Sequence, residues 1–295
     1  VPFIERKGAE WIAQKNCVSC HHTAFMVWSL KAAKQKGVSV DRDQLTKSSE
    51  WATDWHHFAP QTSGVVVERE VTVRGQCDAI AQLLLGHAPV DARMDQPQWA
   101  IEYAKDLAKG QQADGSWTSG GQLPGQKRPK RETQEVSTMW ALLALSTSHV
   151  EGESLSALVD KGRAWLGNET IGKSTEWWAT RFMLERQFGS ADKADHYRGE
   201  LLKRQRADGG WGWLCDDDSD ALATGIALFS LREDKQHTAH SAIIKARQFL
   251  AQSQSEDGSW AVRGTKQNAK DRVEATSTFW GTCWAVIGLC ASLDN

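Results

Sequence analysis

Phe249-Leu-Ala-Gln-Ser-Gln-Ser-Glu-Asp-Gly-Ser-Trp260 decides the fold. A helical stretch runs into Gln254, polar residues follow, and Asp257-Gly258-Ser259 leads to Trp260. Glycine tolerates the left-handed backbone that ends a helix and aspartate favours turns, so the segment predicts a helix stop followed by a large anchor. Two relatives lie upstream, Leu107-Ala-Lys-Gly-Gln-Gln-Ala-Asp-Gly-Ser-Trp117 and Leu201-Leu-Lys-Arg-Gln-Arg-Ala-Asp-Gly-Gly-Trp211. The three tryptophans are 94 and 49 residues apart, which fits a unit of about 47 with one degenerate copy between the first pair.

After each turn comes an apolar, small-residue-rich helix: Glu135 to Thr147, Asp220 to Leu231 and Glu274 to Leu289. Weaker copies complete the series. Lys161–Leu166 precedes Thr175–Glu185, Leu45–Trp55 precedes Cys77–Ala88, and Glu5–Lys15 precedes Cys20–Ala33. The sum is six helical hairpins. The first helix of each has a charged face and belongs outside; the second is apolar around most of its circumference and belongs inside. Two stretches interrupt the pattern. Residues 64–75 alternate apolar and charged residues as a short hairpin would, and Thr118 to Gln134, with Lys127, Arg128, Lys130 and Arg131, reads as an exposed, solvated loop.

The 295 residues carry 35 Lys+Arg against 37 Asp+Glu, a net charge of −2 that argues against a nucleic-acid partner. Mean hydropathy of −0.50 and six prolines suit an ordinary globule. The charge-free run Ala275–Leu293 approaches membrane-span length, but its five Ser/Thr and two glycines mark a buried helix, so no transmembrane segment is expected. No signal peptide is read, and Val1 is compatible with a processed chain. Fifteen tryptophans against eight Phe and two Tyr show a repeated need for indole surface.

The Gln…Asp-Gly-x-Trp turns resemble the QW motifs of squalene–hopene cyclases, and the helix pairs resemble the related prenyltransferase β subunits. The resemblance spans essentially the whole chain and implies an all-α (α/α)6 toroid, six inner helices enclosing a central cavity lined by their N-terminal halves. A ring is also what the hairpins require, since none can bury its apolar helix alone. Phe25, Trp28, Trp140, Trp178 and Trp280 are the expected cavity lining, while Trp117, Trp211 and Trp260 are expected to be braces. The cyclases start their chemistry with a buried acid in an Asp-x-Asp-Asp motif. Here Asp218 and Asp220 match its first two acids and Ala221 replaces the last, so Asp220 aligns with the catalytic acid but lacks its neighbour, and cyclisation is not expected. Capping of the inner helix, a function in the cavity and a Ca²⁺ site in the 216–220 turn are all open for these acids. Where the prenyltransferases place a zinc-binding His, this chain has Gly281, so prenyl transfer is not expected either.

One motif stands outside the resemblance. Cys17-Val-Ser-Cys20-His21 has the C-x-x-C-H spacing that attaches a c-type haem: two thiols reach its vinyl groups and His21 lies under the iron. His56 or His57 is the expected distal ligand, ahead of Met26, Met94, Met139 and His87, and an open sixth position is also compatible. A zinc or iron site with His21 or His22, or a redox dithiol, are the other readings. Cys77, Cys215, Cys283 and Cys290 read as buried small hydrophobes. The expectation is therefore a single toroid domain over 1–295 with a haem c motif at 17–21, periplasmic or secreted, serving electron transfer or haem redox chemistry with a redox partner. The alternatives are a haem-dependent enzyme acting on a small apolar, isoprenoid-like molecule, and a non-catalytic lipid- or partner-binding toroid with a structural Cys-Cys-His metal site.

Overall fold

Each Asp-Gly-x-Trp segment hands an outer helix over to an inner one. In the computed structural model, which describes residues 1–15, 18, 22–58, 69, 75–88, 96–120, 123–148, 154–167, 172–232, 239–269 and 271–293, twelve α-helices form six consecutive hairpins. The pairs are α1 (Pro2–Lys15) with α2 (Thr23–Gln35), α3 (Arg42–Thr53) with α4 (Cys77–Gly86), and α5 (Gln98–Lys109) with α6 (Lys130–Leu145). They continue as α7 (Leu155–Leu166) with α8 (Thr175–Phe188), α9 (Ala191–Lys203) with α10 (Ala221–Leu231), and α11 (His240–Ser253) with α12 (Ala275–Ser292).

The even-numbered helices touch in the cyclic order α2, α4, α6, α8, α10, α12 and back to α2, which closes an (α/α)6 toroid. The burial pattern follows the sequence pattern: every residue of α10 is buried, whereas α11 buries only Ala246 and Leu250. Gly225 and Gly288 face each other where α10 meets α12, with no room for a Cβ on either, so the two backbones approach closely.

The three clear turns are built alike. The indole N–H groups of Trp117, Trp211 and Trp260 donate to the carbonyls of Leu107, Leu201 and Leu250 at 2.7, 2.9 and 2.8 Å. Their backbone amides donate to the hydroxyls of Thr138, Thr224 and Thr282 on the following inner helix, at 3.0, 3.0 and 3.1 Å. All three rings are buried, so these tryptophans are braces, one end apolar and packed, the other hydrogen-bonded.

The axis of the ring is filled. Phe25, Trp28, Trp140, Phe229 and Trp284 pack as a plug, with Trp284 at 5.2 Å from Phe25, 5.3 Å from Trp28, 5.7 Å from Trp140 and 5.7 Å from Phe229 between ring centroids. Trp280 continues it, 6.1 Å from Phe25 and 5.5 Å from Trp213. Phe25, Trp140 and Trp280 thus fill the space they were expected to line, because large aromatic rings from converging helices satisfy one another; Trp28 joins the plug and, with Phe229, Ile287 and Leu293, also borders a cavity of about 440 Å³. Trp178 is off the axis, under the Arg204 guanidinium at 3.7 Å.

Candidate functional site

The N-terminal ends of the inner helices share one face of the ring, and two loops from opposite sides of the ring cross it. The loop before α6 and the loop before α12 belong to the third and sixth hairpins. They meet through Lys127 N–H donating to the Thr265 carbonyl at 2.8 Å and Gln267 N–H donating to the Gly125 carbonyl at 3.0 Å, with Gln126 opposite Lys266 in an antiparallel bridge. Beneath this roof Arg128, 1% exposed, donates to Glu176 at 2.7 Å and lies over Trp213 at 5.1 Å. Glu176 also accepts from the Trp140 indole at 2.9 Å. The expected solvated basic loop is therefore corrected: Arg128 is drawn inside because a buried carboxylate on α8 needs a cation.

Beside the roof is a cavity of about 370 Å³, walled by Trp213, Asp217, Asp218 and Asp220 on one side and Arg263, Thr265 and Asp271 on the other. Asp220 caps α10. One carboxylate oxygen accepts from Ala223 N–H at 2.8 Å and the other from Trp213 N–H at 2.7 Å, while its own amide donates to the Trp211 carbonyl at 2.9 Å. Burial pushes its carboxyl up to about 7; the capping amides oppose the shift and the charge of Asp217 adds to it. The Ala223 and Trp213 amides take one lone-pair position on each oxygen, and a carboxylate has about four, so a site for a proton remains. Asp217 accepts from Leu214 N–H at 3.4 Å, and the exposed Asp218 pairs with Arg263 at 3.4 Å. On the far side of Asp217 and Asp218 an open groove of about 1150 Å³ runs past Lys173, Arg204 and Cys215. Capping and a place in a cavity wall thus coincide in Asp220, two readings that the sequence set against each other.

Trp213 and Arg263 were not singled out from sequence. The available signal for Trp213 was a second indole two residues after the repeat tryptophan Trp211. Among the described residues no group of three or more His, Cys, Asp or Glu is arranged to hold a metal ion, so nothing supports Ca²⁺ in the acidic turn. Cys17, Cys20 and His21, like Met94 and most of the expected hairpin at 64–75, lie outside the described residues. His56 and His57 lie near the motif, since Val18 N–H donates to the His57 carbonyl at 2.5 Å. In each ring Nδ1 is bonded, His56 to Asp54 at 2.6 Å and His57 to the Trp51 carbonyl at 2.8 Å, and the rings stack on Trp55 and Trp51 respectively. His22 is buried between Trp11 and Phe279.

No family model and no curated protein sequence matches the chain. Solved structures do. A glycosyl hydrolase family 88 protein from Bacteroides vulgatus superposes with a TM-score of 0.59 at 13% identity, over 97% of this chain and 98% of that one. The fold is that of this hydrolase. A possible GH105 family member from Salmonella enterica is 13% identical over 92% of this chain and 82% of its own, with a TM-score of 0.43. One from Klebsiella pneumoniae is 17% identical over 90% and 68%, with a TM-score of 0.38.

The first of these similarities corrects the family reading. The toroid stands, but the structure that shares it is a glycosyl hydrolase family 88 protein, not a squalene cyclase, a prenyltransferase or a haem protein. Haem c as cofactor, electron transfer, oxidoreductase chemistry and the structural Cys-Cys-His metal site are withdrawn with it. The periplasmic or secreted setting rested on haem attachment and loses that argument; no described helix is long and apolar enough to cross a membrane.

Proposed function

We propose that this toroid cleaves glycosidic bonds in the cavity beside the 213–220 turn, with Asp220 as the proton donor. One observation carries the reading: a carboxyl held by two backbone amides, raised to about 7 by burial, opens on a cavity that it shares with three further carboxylates, Asp217, Asp218 and Asp271. A glycosidic oxygen is a poor leaving group until it is protonated, and a carboxyl that keeps its proton near neutrality supplies that proton. The second carboxyl that glycoside cleavage uses, as base toward water or as nucleophile, comes in this reading from Asp217 or Asp218. Trp213 gives the cavity an aromatic wall, and the groove beyond Asp217 offers polar groups to the rest of a saccharide chain. The fold shared with the family 88 hydrolase supports the proposal by analogy of architecture.

The experiment is release of reducing ends from a panel of neutral, acidic and unsaturated oligosaccharides by the purified chain. Asp220→Asn keeps a cap acceptor but cannot donate the proton, and should lower kcat by about 10²-fold or more on whichever substrate is cleaved. A panel left intact, or an Asp220→Asn variant as active as the parent, rejects the assignment.

A further inference from the structure

The repeated turn binds more than its own helix. Gln111 donates its side-chain amide both to the Gly115 carbonyl at 3.0 Å and to the Leu158 carbonyl of the next outer helix, α7, at 2.9 Å. Gln205 does the same with Gly209 at 2.8 Å and with Ala242 of α11 at 2.8 Å. Gly115 (φ 98°) and Gly209 (φ 91°) then press against the carbonyls of Lys161 and Lys245, three residues further along those helices. Each turn is a socket for the first half of an outer helix.

The third socket is open. Gln254 donates to the Gly258 carbonyl at 3.0 Å and, among the described residues, to no neighbouring helix; Gly258 (φ 82°) meets no backbone from across the ring. The helix that follows in cyclic order is α1, which lies at this seam in contact with α2 and α12. Its sequence carries the register that fills the other two sockets. Leu158, Lys161, Gly162 and Trp165 of α7, and Ala242, Lys245, Ala246 and Phe249 of α11, correspond to Ile4, Lys7, Gly8 and Trp11 of α1. The glycines at this register face different neighbours: Gly162 packs against Leu142 of α6, the inner helix of the preceding hairpin, whereas Gly8 packs against Met26 of α2, the inner helix of its own. The Trp165 indole reaches Asp114 of the first turn, and α1 has an indole at the same place. Arg6 already lies near enough to Asp257 to act on its charge.

We infer that the Gln254–Trp260 turn is an interaction surface for α1, and that the ring has a second, latched conformation in which Gln254 bonds the Ile4 carbonyl and Gly258 seats against Lys7. The same turn runs directly into Ala261, Arg263 and Gly264 of the cavity wall, so the latch joins the seam of the ring to that wall.

Hydrogen exchange and cross-linking test it on the full chain. Gln254→Ala should speed amide exchange in α1 by about fivefold, the effect of losing one net hydrogen bond, while the C-terminal turn of α11 keeps its protection. Arg6→Cys with Asp257→Cys should give an intramolecular disulfide by peptide mapping, and closing it should slow α1 exchange. Unchanged α1 exchange in the Gln254→Ala variant overturns the latch. A disulfide between two chains overturns it also, by assigning the socket to α1 of a second copy.

Discussion

Trp213 holds Asp220: the backbone amide of the residue that walls the cavity donates to the carboxylate at 2.7 Å. A shift of the 213–220 turn therefore moves the acid and the wall together. The buried carboxyl is pinned at both oxygens, which fixes its direction even as burial favours its proton.

That arrangement sets a pH dependence with a definite sign. The ordinary value of the carboxyl is 3.8 and the folded one about 7. Between these values the native state keeps a proton that the unfolded chain has lost, so the contribution of Asp220 to stability is greatest below about pH 4 and falls as pH rises through about 7. An asparagine in its place does not titrate. The Tm difference between parent and Asp220→Asn should therefore move against the parent from about pH 4.5 to pH 8, the other carboxyls cancelling in the comparison. Catalysis should fall over the upper part of the same window as the donor loses its proton. A Tm difference constant with pH would show that Asp220 titrates alike in both states.

The pair Arg128–Glu176 permits a second expectation. Both side chains are buried, so removing one charge strands the other. Arg128→Met should cost about 3–5 kcal/mol in urea unfolding. Adding Glu176→Gln should recover a large part, since the new amide carbonyl still accepts from the Trp140 indole without a charge to strand. A single variant within about 1 kcal/mol of the parent would contradict the burial of this pair.

The ring was legible in the sequence because its determinants are local and repeated. Asp-Gly ends a helix wherever it stands, and an apolar helix such as α10 must be covered whatever covers it. Arg128 was not legible, because its fate depends on Glu176, 48 residues away, and on a loop that meets the opposite side of the ring. The same limit explains the filled axis: Trp28, Trp140 and Trp284 each fit a cavity wall or a plug, and only their convergence decides. Cys17-Val-Ser-Cys20-His21 misled for the converse reason. A five-residue spacing states which groups are near one another and nothing of what surrounds them. Asp220 was found through alignment with an acid of another family, and what survives of that reading is the carboxyl at the start of α10, not the chemistry it was borrowed from.

The roof gives the last prediction. Gln126 and Lys266 face each other across an antiparallel bridge between loops 140 residues apart in sequence. Facing residues of such pairs have the Cβ separation that a disulfide spans, so Gln126→Cys with Lys266→Cys should oxidise to a cross-link over the mouth of the ring. Closing so long a loop stabilises by about 5 kcal/mol at most in the chain-entropy model, and Tm should rise by roughly 5–10 °C. The consequence for function follows from position. Lys127, Thr265 and Asp271 belong both to the roof and to the cavity wall, and Lys127 also pairs with Asp271 at 3.3 Å. If saccharide enters by parting these loops, the oxidised protein should turn over at least about tenfold more slowly than the reduced one, with activity restored by dithiothreitol. Equal rates in the two redox states, with the cross-link confirmed by mass, would place the entrance on the open groove beside Asp217 instead.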